Sequence, residues 1–130
     1  MLDTDICIFV AKHPSPAVKQ RFTQLLPGQV VMSVVTYGEL YFGAIKSNQR
    51  IKALSKLDEL IRAIPVEILD SAVSHAYGEI RAALEKQGRI IGNNDLWIGA
   101  HALSLDLTLV TSNEREFKRI AGLSLENWTK

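Results

Sequence analysis

Between Gly88 and Ala102 the chain reads GRIIGNNDLWIGAHA. Behind the turn and cap residues Gly92, Asn93 and Asn94, the positions Leu96, Trp97, Ile98, Gly99, Ala100, Ala102 and Leu103 leave a helix with almost no polar face. Such a helix has no stripe to offer water, so the rest of the chain has to fold around it. Its first turn, which carries Asp95, then points into the fold. Taken alone, Asp95 has two readings of equal weight: it caps the helix, where an acid bonds free backbone amides and suits the dipole, or it belongs to a site whose other members come from elsewhere.

The size and charge of the chain narrow what that site could serve. A length of 130 residues at 47% apolar content suffices for one domain, residues 1–130, and not for two. A formal charge of +1 argues against a protein that coats nucleic acid by charge, while leaving room for a local basic patch. The single cysteine, Cys7, lies in the apolar run Ile6 to Ala11; it reads as a small core residue in a reducing compartment. The N-terminus meets Asp3 at once, with no basic region followed by a long apolar segment, and no run reaches membrane-spanning length, so a soluble cytoplasmic protein is expected. The sequon Asn127-Trp128-Thr129 therefore reads as chance.

In chain order, Met1 to Val10 reads as a buried strand passing into a short helix, broken by His13-Pro14. Ser15-Pro16 is a cap-then-proline start for a helix over Ala17 to Leu26, and Pro27-Gly28 turns the chain. Gln29 to Ser33 is a short apolar strand followed by a helix over Val34 to Lys46, and residues 48–63 have the periodicity of an amphipathic surface helix. Pro65 to Leu69 is a third strand, Asp70-Ser71 a cap, Ala72 to Lys86 a helix stopped by Gly88, and Leu107 to Val110 a fourth strand. A short polar helix around Glu114 to Arg119 and a last apolar piece, Leu123 to Trp128, complete the chain. Strands alternating with helices, without hairpin dipeptides, predict an α/β fold with a mainly parallel central sheet.

In such sheets a site forms outside the carboxyl ends of the strands. Four separate segments bring acids to that edge: Asp3 and Asp5, then Glu39, then Asp95, then Glu114 and Glu116, whereas Glu59, Glu67, Asp70, Glu79, Glu85 and Glu126 fall on faces read as exposed. Carboxylates gathered in a cleft repel one another and need a cation, and magnesium or manganese suits oxygen ligands with retained water. Glu39 has a plainer reading within the capping box Thr36-Tyr37-Gly38-Glu39. The glycines at 38 and 43, costly inside a helix, point instead to close approach of another backbone or a ligand. Asp5 is equally a solvated cap of the first helix. His13, His75 and His101 share no ligand spacing and read as structural, and no HExxH, CxxC, Walker or GxGxxG motif occurs. Arg50, Lys52, Arg81, Lys86, Arg89 and Arg115 are candidates for phosphate contact or plain solvated charges, and Trp97, Trp128, Tyr37 and Tyr77 read as core or interface.

Six pieces then fall in one order and spacing: Met1-Leu2-Asp3-Thr4-Asp5-Ile6-Cys7-Ile8; Ser33 to Gly43 with Gly38-Glu39-Leu40; Tyr77-Gly78-Glu79-Ile80-Arg81-Ala82; Gly92 to Ala102; Leu109 to Phe117 with Thr111-Ser112-Asn113-Glu114-Arg115-Glu116; and Glu126-Asn127-Trp128. Over essentially its whole length the chain resembles a VapC-type PIN-domain toxin ribonuclease. The resemblance implies a three-layer α/β/α sandwich in which Asp3, Glu39 and Asp95 are metal-binding catalytic acids and Glu116 is the fourth. It also implies cleavage of RNA, often tRNA, and a small VapB-like antitoxin that obstructs the acidic pocket. The pattern is broken at Asp5, where the family usually has Asn, at Asn113, where many relatives have an acid, and at Asn93-Asn94, where a Gly-Pro type turn is more usual. The fourth role therefore lies between Glu116, Glu114 and Asn113. Two other classes share parts of the signal. A non-cleaving PIN-like module that binds RNA or a partner sits poorly with the complete acid set, and a receiver-like magnesium-binding phosphoacceptor lacks the lysine expected soon after Val110. A homodimer is expected as well, because Tyr37, Tyr41, Phe42, Ile45, Leu54 and Leu57 are too many apolar positions for one core-facing stripe.

Overall fold

In a computed structural model, which describes residues 1–12, 15–26 and 28–129, short extended segments alternate with helices. The expected break at His13-Pro14 and the turn at Pro27 fall outside the described residues. The helices are α1 (Thr4–Lys12), α2 (Pro16–Thr23), α3 (Val34–Lys46), α4 (Arg50–Ala63), α5 (Ser71–Lys86), α6 (Asn93–Ser104) and the single turn α7 (Glu114–Phe117). The strands are β1 (Met32–Ser33), β2 (Val66–Glu67), β3 (Leu109–Val110) and β4 (Leu125–Glu126). Each strand is shorter than the apolar run that announces it, because only the residues that pair across the sheet join a ladder. The run from Leu123, of uncertain type in the sequence, supplies β4.

Helix starts follow the local chemistry of the sequence. Ser15 caps α2, accepting from the Val18 N–H at 3.2 Å with Pro16 just inside, and Asp70 caps α5, accepting from the Val73 N–H at 3.1 Å. Gly88, at φ +65°, ends α5 in the left-handed conformation that glycine adopts without strain, with the Arg89 N–H returning to the Leu84 carbonyl at 2.9 Å.

β1 pairs in parallel with β2, and β3 with β4. Residues 1–3 join the two pairs: the Leu2 N–H donates to the Val31 carbonyl at 2.9 Å, the Asp3 N–H to Val110 at 2.9 Å, and the Val110 N–H to Met1 at 2.8 Å. The spatial order is therefore β2, β1, residues 1–3, β3, β4. The chain's first segment lies in the middle, and the winding direction reverses between it and β3. Alternation along these segments sends side chains to two cores. Met1 and Leu109 pack with Leu84, Leu96, Ile98 and Phe117 on one side, whereas Leu2, Met32 and Val110 pack with Ile6, Cys7, Ile64 and Trp128 on the other. The result is the three-layer α/β/α sandwich. α6 is its most enclosed helix, with Leu96, Ile98, Gly99, Ala100, His101 and Ala102 buried.

Candidate active site

The reversal point beside residues 1–3 is where an open parallel sheet leaves a crevice at its carboxyl edge. Asp3 sits there at 5% exposure. Its Oδ1 accepts from the Thr4 N–H at 2.8 Å, and its Oδ2 accepts from the Thr111 hydroxyl at 2.8 Å, the residue directly after β3. Thr111 is itself held, its Oγ1 accepting from the Asn113 N–H at 3.0 Å.

Glu39 comes from α3. The capping-box reading fails, because the cap of that helix is Ser33, whose Oγ accepts from the Val35 N–H at 3.1 Å. Glu39 instead faces α1, accepting from the Thr4 hydroxyl at 2.7 Å, while the Thr4 and Thr36 hydroxyls lie 3.1 Å apart. Asp95 occupies the first turn of α6, where its charge suits the helix dipole; the cap position is Gly92, which has no side chain to cap with, and no side-chain cap hydrogen bond forms there. Glu116 is steadied by the Asn113 side-chain amide, 3.2 Å from its Oε2. Glu114 turns away toward Asn127, whose Nδ2 donates to it at 3.2 Å. Of the three candidates for a fourth position, Glu116 lies near enough to Asp95 for its charge to act on it, Asn113 bonds Glu116, and Glu114 accepts from Asn127.

Burial and neighbouring charge act on two of these acids, Asp3 and Asp95. Burial, and then the charges of Asp5 and Asp95, push the Asp3 carboxyl up to about 7, against the lowering effect of its hydrogen bonds. Asp95 is pushed up to about 6, by burial first and then by Glu116, Glu39 and Asp5. Asp5 is no solvated surface cap. It is half-buried, its Oδ2 receives the Ser112 N–H at 3.3 Å and the Ser112 hydroxyl, and its Oδ1 is buried without a partner.

Other expectations fare unevenly. A Cβ built on Gly38 or Gly43 meets nothing within 4 Å, so within this chain neither marks a close approach. The glycine that does is Gly99, where such a Cβ falls 2.5 Å from Ile120 Cδ1. Glu59, Asp70, Glu79, Glu85 and Glu126 are exposed as expected, but Glu67 is half-buried in β2. His101 is structural: fully buried, with its Nδ1 2.8 Å from Ser33 Oγ, it ties α6 to the start of α3. Among the dimer candidates, Leu57 is buried and Tyr37 packs on a core, whereas Tyr41 and Phe42 are exposed at 45% and 63%. Sequence reasoning passed over the hydroxyls of Thr4, Thr111 and Ser112, and gave that of Thr36 only a capping role. The available signal was their position, immediately after a strand or one turn into the helix that follows.

The donor set fits a hard divalent ion. It is all oxygen and collectively anionic, two of its members are raised toward neutrality, and among the described residues no ion pair reaches Asp3, Glu39, Asp95 or Glu116. No three His, Cys, Asp or Glu side chains among the described residues form a ready-made coordination cage. Magnesium-type ions do not need one, since they retain several waters and take one or two direct carboxylates.

A family model described as PIN domain matches residues 1–123. The chain is 42% identical to Ribonuclease VapC1 of Haemophilus influenzae strain R2866, across 100% of this chain and 98% of that protein. It is 42% identical to the tRNA(fMet)-specific endonuclease VapC of Shigella flexneri, across 99% and 97%. Among solved structures it is similar to VapBC-1 from nontypeable Haemophilus influenzae, with TM-score 0.94 and 42% identity over 100% of this chain and 98% of that one. VapBC2 from Rickettsia felis, bound to a DNA fragment from its promoter, gives a TM-score of 0.91 at 36% identity over 98% and 97%.

Proposed function

This chain belongs to the PIN-domain family, and within it to the VapC ribonucleases; we propose that it is the toxin of a toxin-antitoxin pair, an endoribonuclease dependent on magnesium or manganese. The observation that supports this most directly is the gathering of carboxylates from separate elements at the reversal point of the sheet, with Asp3 and Asp95 raised to about 7 and about 6. Asp3, Glu39, Asp95 and Glu116 would hold the ion. Once bound, a divalent ion lowers the pKa of a coordinated water and stabilises charge on the attacked phosphate and the leaving oxygen. The protein's own share is placement. Thr111 and the Thr4 backbone fix Asp3, the Thr4 hydroxyl fixes Glu39, Asn113 fixes Glu116, and burial shields Asp3 from bulk water.

The substrate we propose is tRNA, following the relatives named tRNA(fMet)-specific endonucleases in Shigella flexneri and Salmonella typhimurium. Single-stranded loops are where a protein reads RNA sequence. The partner is a cognate VapB-like antitoxin. Between α1, α3 and α4 runs a groove of about 330 Å³ with Ile8, Leu40, Leu57 and Leu60 among its lining, Lys12, Lys52 and Lys56 also along it, and Glu39 within it. An apolar antitoxin segment laid there would carry an arginine to the carboxylates, where its fork bridges two of them in place of metal. Exposed Tyr41 and Phe42 suit a homodimer contact. No helix of the described residues is long and apolar enough to cross a membrane. Sequencing RNA 5′ ends after brief induced expression should show one dominant cut within a tRNA loop, absent from the Asp95→Ala variant. Cuts spread without preference over all RNA would reject the tRNA assignment.

A further inference from the structure

A metal ligand contributes most when the protein already holds it where the ion needs it, so the groups that fix the ligands matter almost as much as the ligands. Asp3 lies in the middle of the sheet and Asp95 on its most enclosed helix. Glu116 has less behind it, since it sits on the single turn α7, reached from β3 through residues 111–113. Each of those three consecutive residues bonds one carboxylate. Thr111 Oγ1 donates to Asp3 Oδ2 at 2.8 Å, and Asn113 Nδ2 donates to Glu116 Oε2 at 3.2 Å. Between them, Ser112 donates both its N–H, at 3.3 Å, and its hydroxyl to Asp5 Oδ2. The first and third of these acids are assigned to the ion, and Asp5 is not.

What Asp5 contributes follows from how this connection is held. At one end the Thr111 N–H is tied to the sheet, donating to the Glu126 carbonyl at 3.0 Å, and at the other Phe117 is fully buried. Ser112 between them is exposed, and among the described residues the hydrogen bonds it donates are the two to Asp5. Asp5 is a firm anchor for them. It lies in the first turn of α1, where the Ile6 and Cys7 N–H groups donate to the Asp3 carbonyl at 3.1 and 3.0 Å and both of those side chains are fully buried. The same turn bonds Asp3 through the Thr4 N–H and Glu39 through the Thr4 hydroxyl. One helical turn therefore holds Asp3, Glu39 and, through Ser112, the connection that leads to Glu116.

We infer that Asp5 is a positioning residue for the metal site: by holding Ser112 it fixes residues 111–113, and with them the carboxylates of Asp3 and Glu116. Its part is played by the oxygen that accepts from Ser112 rather than by its charge. The inference rests on the metal-dependent reading of the site.

The test is manganese binding by the full chain, followed by the paramagnetic resonance signal of the free ion, for the parent and for Asp5→Ala, Asp5→Asn and Ser112→Ala. Asp5→Ala should weaken binding about 10-fold, the size of effect expected when a group that orients a metal ligand is removed. Asp5→Asn loses the charge but keeps an acceptor oxygen in the same place, and should stay within about 2-fold of the parent. Ser112→Ala leaves every carboxylate in place and should weaken binding in the same direction as Asp5→Ala, which keeps the test decisive if Asp5→Ala does not fold. Without metal, amide exchange at Ser112 and Asn113 should quicken in Asp5→Ala and keep the parental rate in Asp5→Asn. If the parent binds manganese and folded Asp5→Ala binds it equally well, Asp5 positions nothing. If Asp5→Asn is as weak as Asp5→Ala, the charge is what acts and the positioning role falls. If the parent binds no manganese, the metal-dependent reading itself falls, and this inference falls with it.

Discussion

Asp3 is the residue on which the account leans most, since it is the most buried acid of the set and its environment is the least neutral toward charge. Unfolded, its carboxyl ionises near 3.8; in the folded, metal-free protein it does so only near 7, for reasons of burial and neighbouring carboxylates. Between those values the folded state binds more protons than the unfolded one, so this group costs stability as pH rises from about 4 to about 7, and the cost is constant above. Asp3→Asn removes that cost. In thermal melts without metal, the variant should be more stable than the parent at pH 8 and equal to it at pH 4, and added manganese should stabilise the parent alone. A difference that does not change with pH would mean that Asp3 is not held near neutrality. The same residue shows where sequence reasoning stopped. A carboxylate can be placed at a strand end from pattern alone, but the hydroxyl that orients it, Thr111, lies 108 positions away and comes close only through the pairing of residues 1–3 with β3.

Among the elements, α6 was legible as buried because its composition leaves no wet face, and the caps at Ser15 and Asp70 because their chemistry is local. The glycines were misread for a related reason. A glycine's cost inside a helix is visible in sequence, but what approaches it is a tertiary fact, and the approach occurs at Gly99 rather than at Gly38 or Gly43. Gly99→Ala would bring about 1 kcal/mol of intrinsic helix preference. Against that, its methyl would meet Ile120 Cδ1 at 2.5 Å and Phe117 at 3.5 Å in a filled core, and overpacking costs about 1–3 kcal/mol. The expected result is a lower melting temperature with metal binding retained. An unchanged or raised melting temperature would show that Ile120 swings aside freely.

For the molecule as a whole, the sandwich follows from alternation of strand and helix patterns, whereas the central position of residues 1–3 was not predictable from any local signal. It is set by which edges pair, and it puts Asp3 at the point where the winding of the sheet reverses. The restraint on this site should also be a whole-molecule property. Co-expression with the small open reading frame beside the toxin's gene should restore growth and yield a complex that stays inactive with excess manganese; rescue without a complex would place the restraint elsewhere. The most direct test of the central claim is cleavage of tRNA by purified protein with magnesium, with manganese or with chelator, for the parent and for folded Asp3→Ala, Glu39→Ala and Asp95→Ala. The account predicts cutting by the parent only with a divalent ion, and a loss of at least about 100-fold in each variant, because each removes a carboxylate proposed to hold the ion. Undiminished cutting by folded Asp95→Ala, or cutting by the parent in chelator, would contradict it.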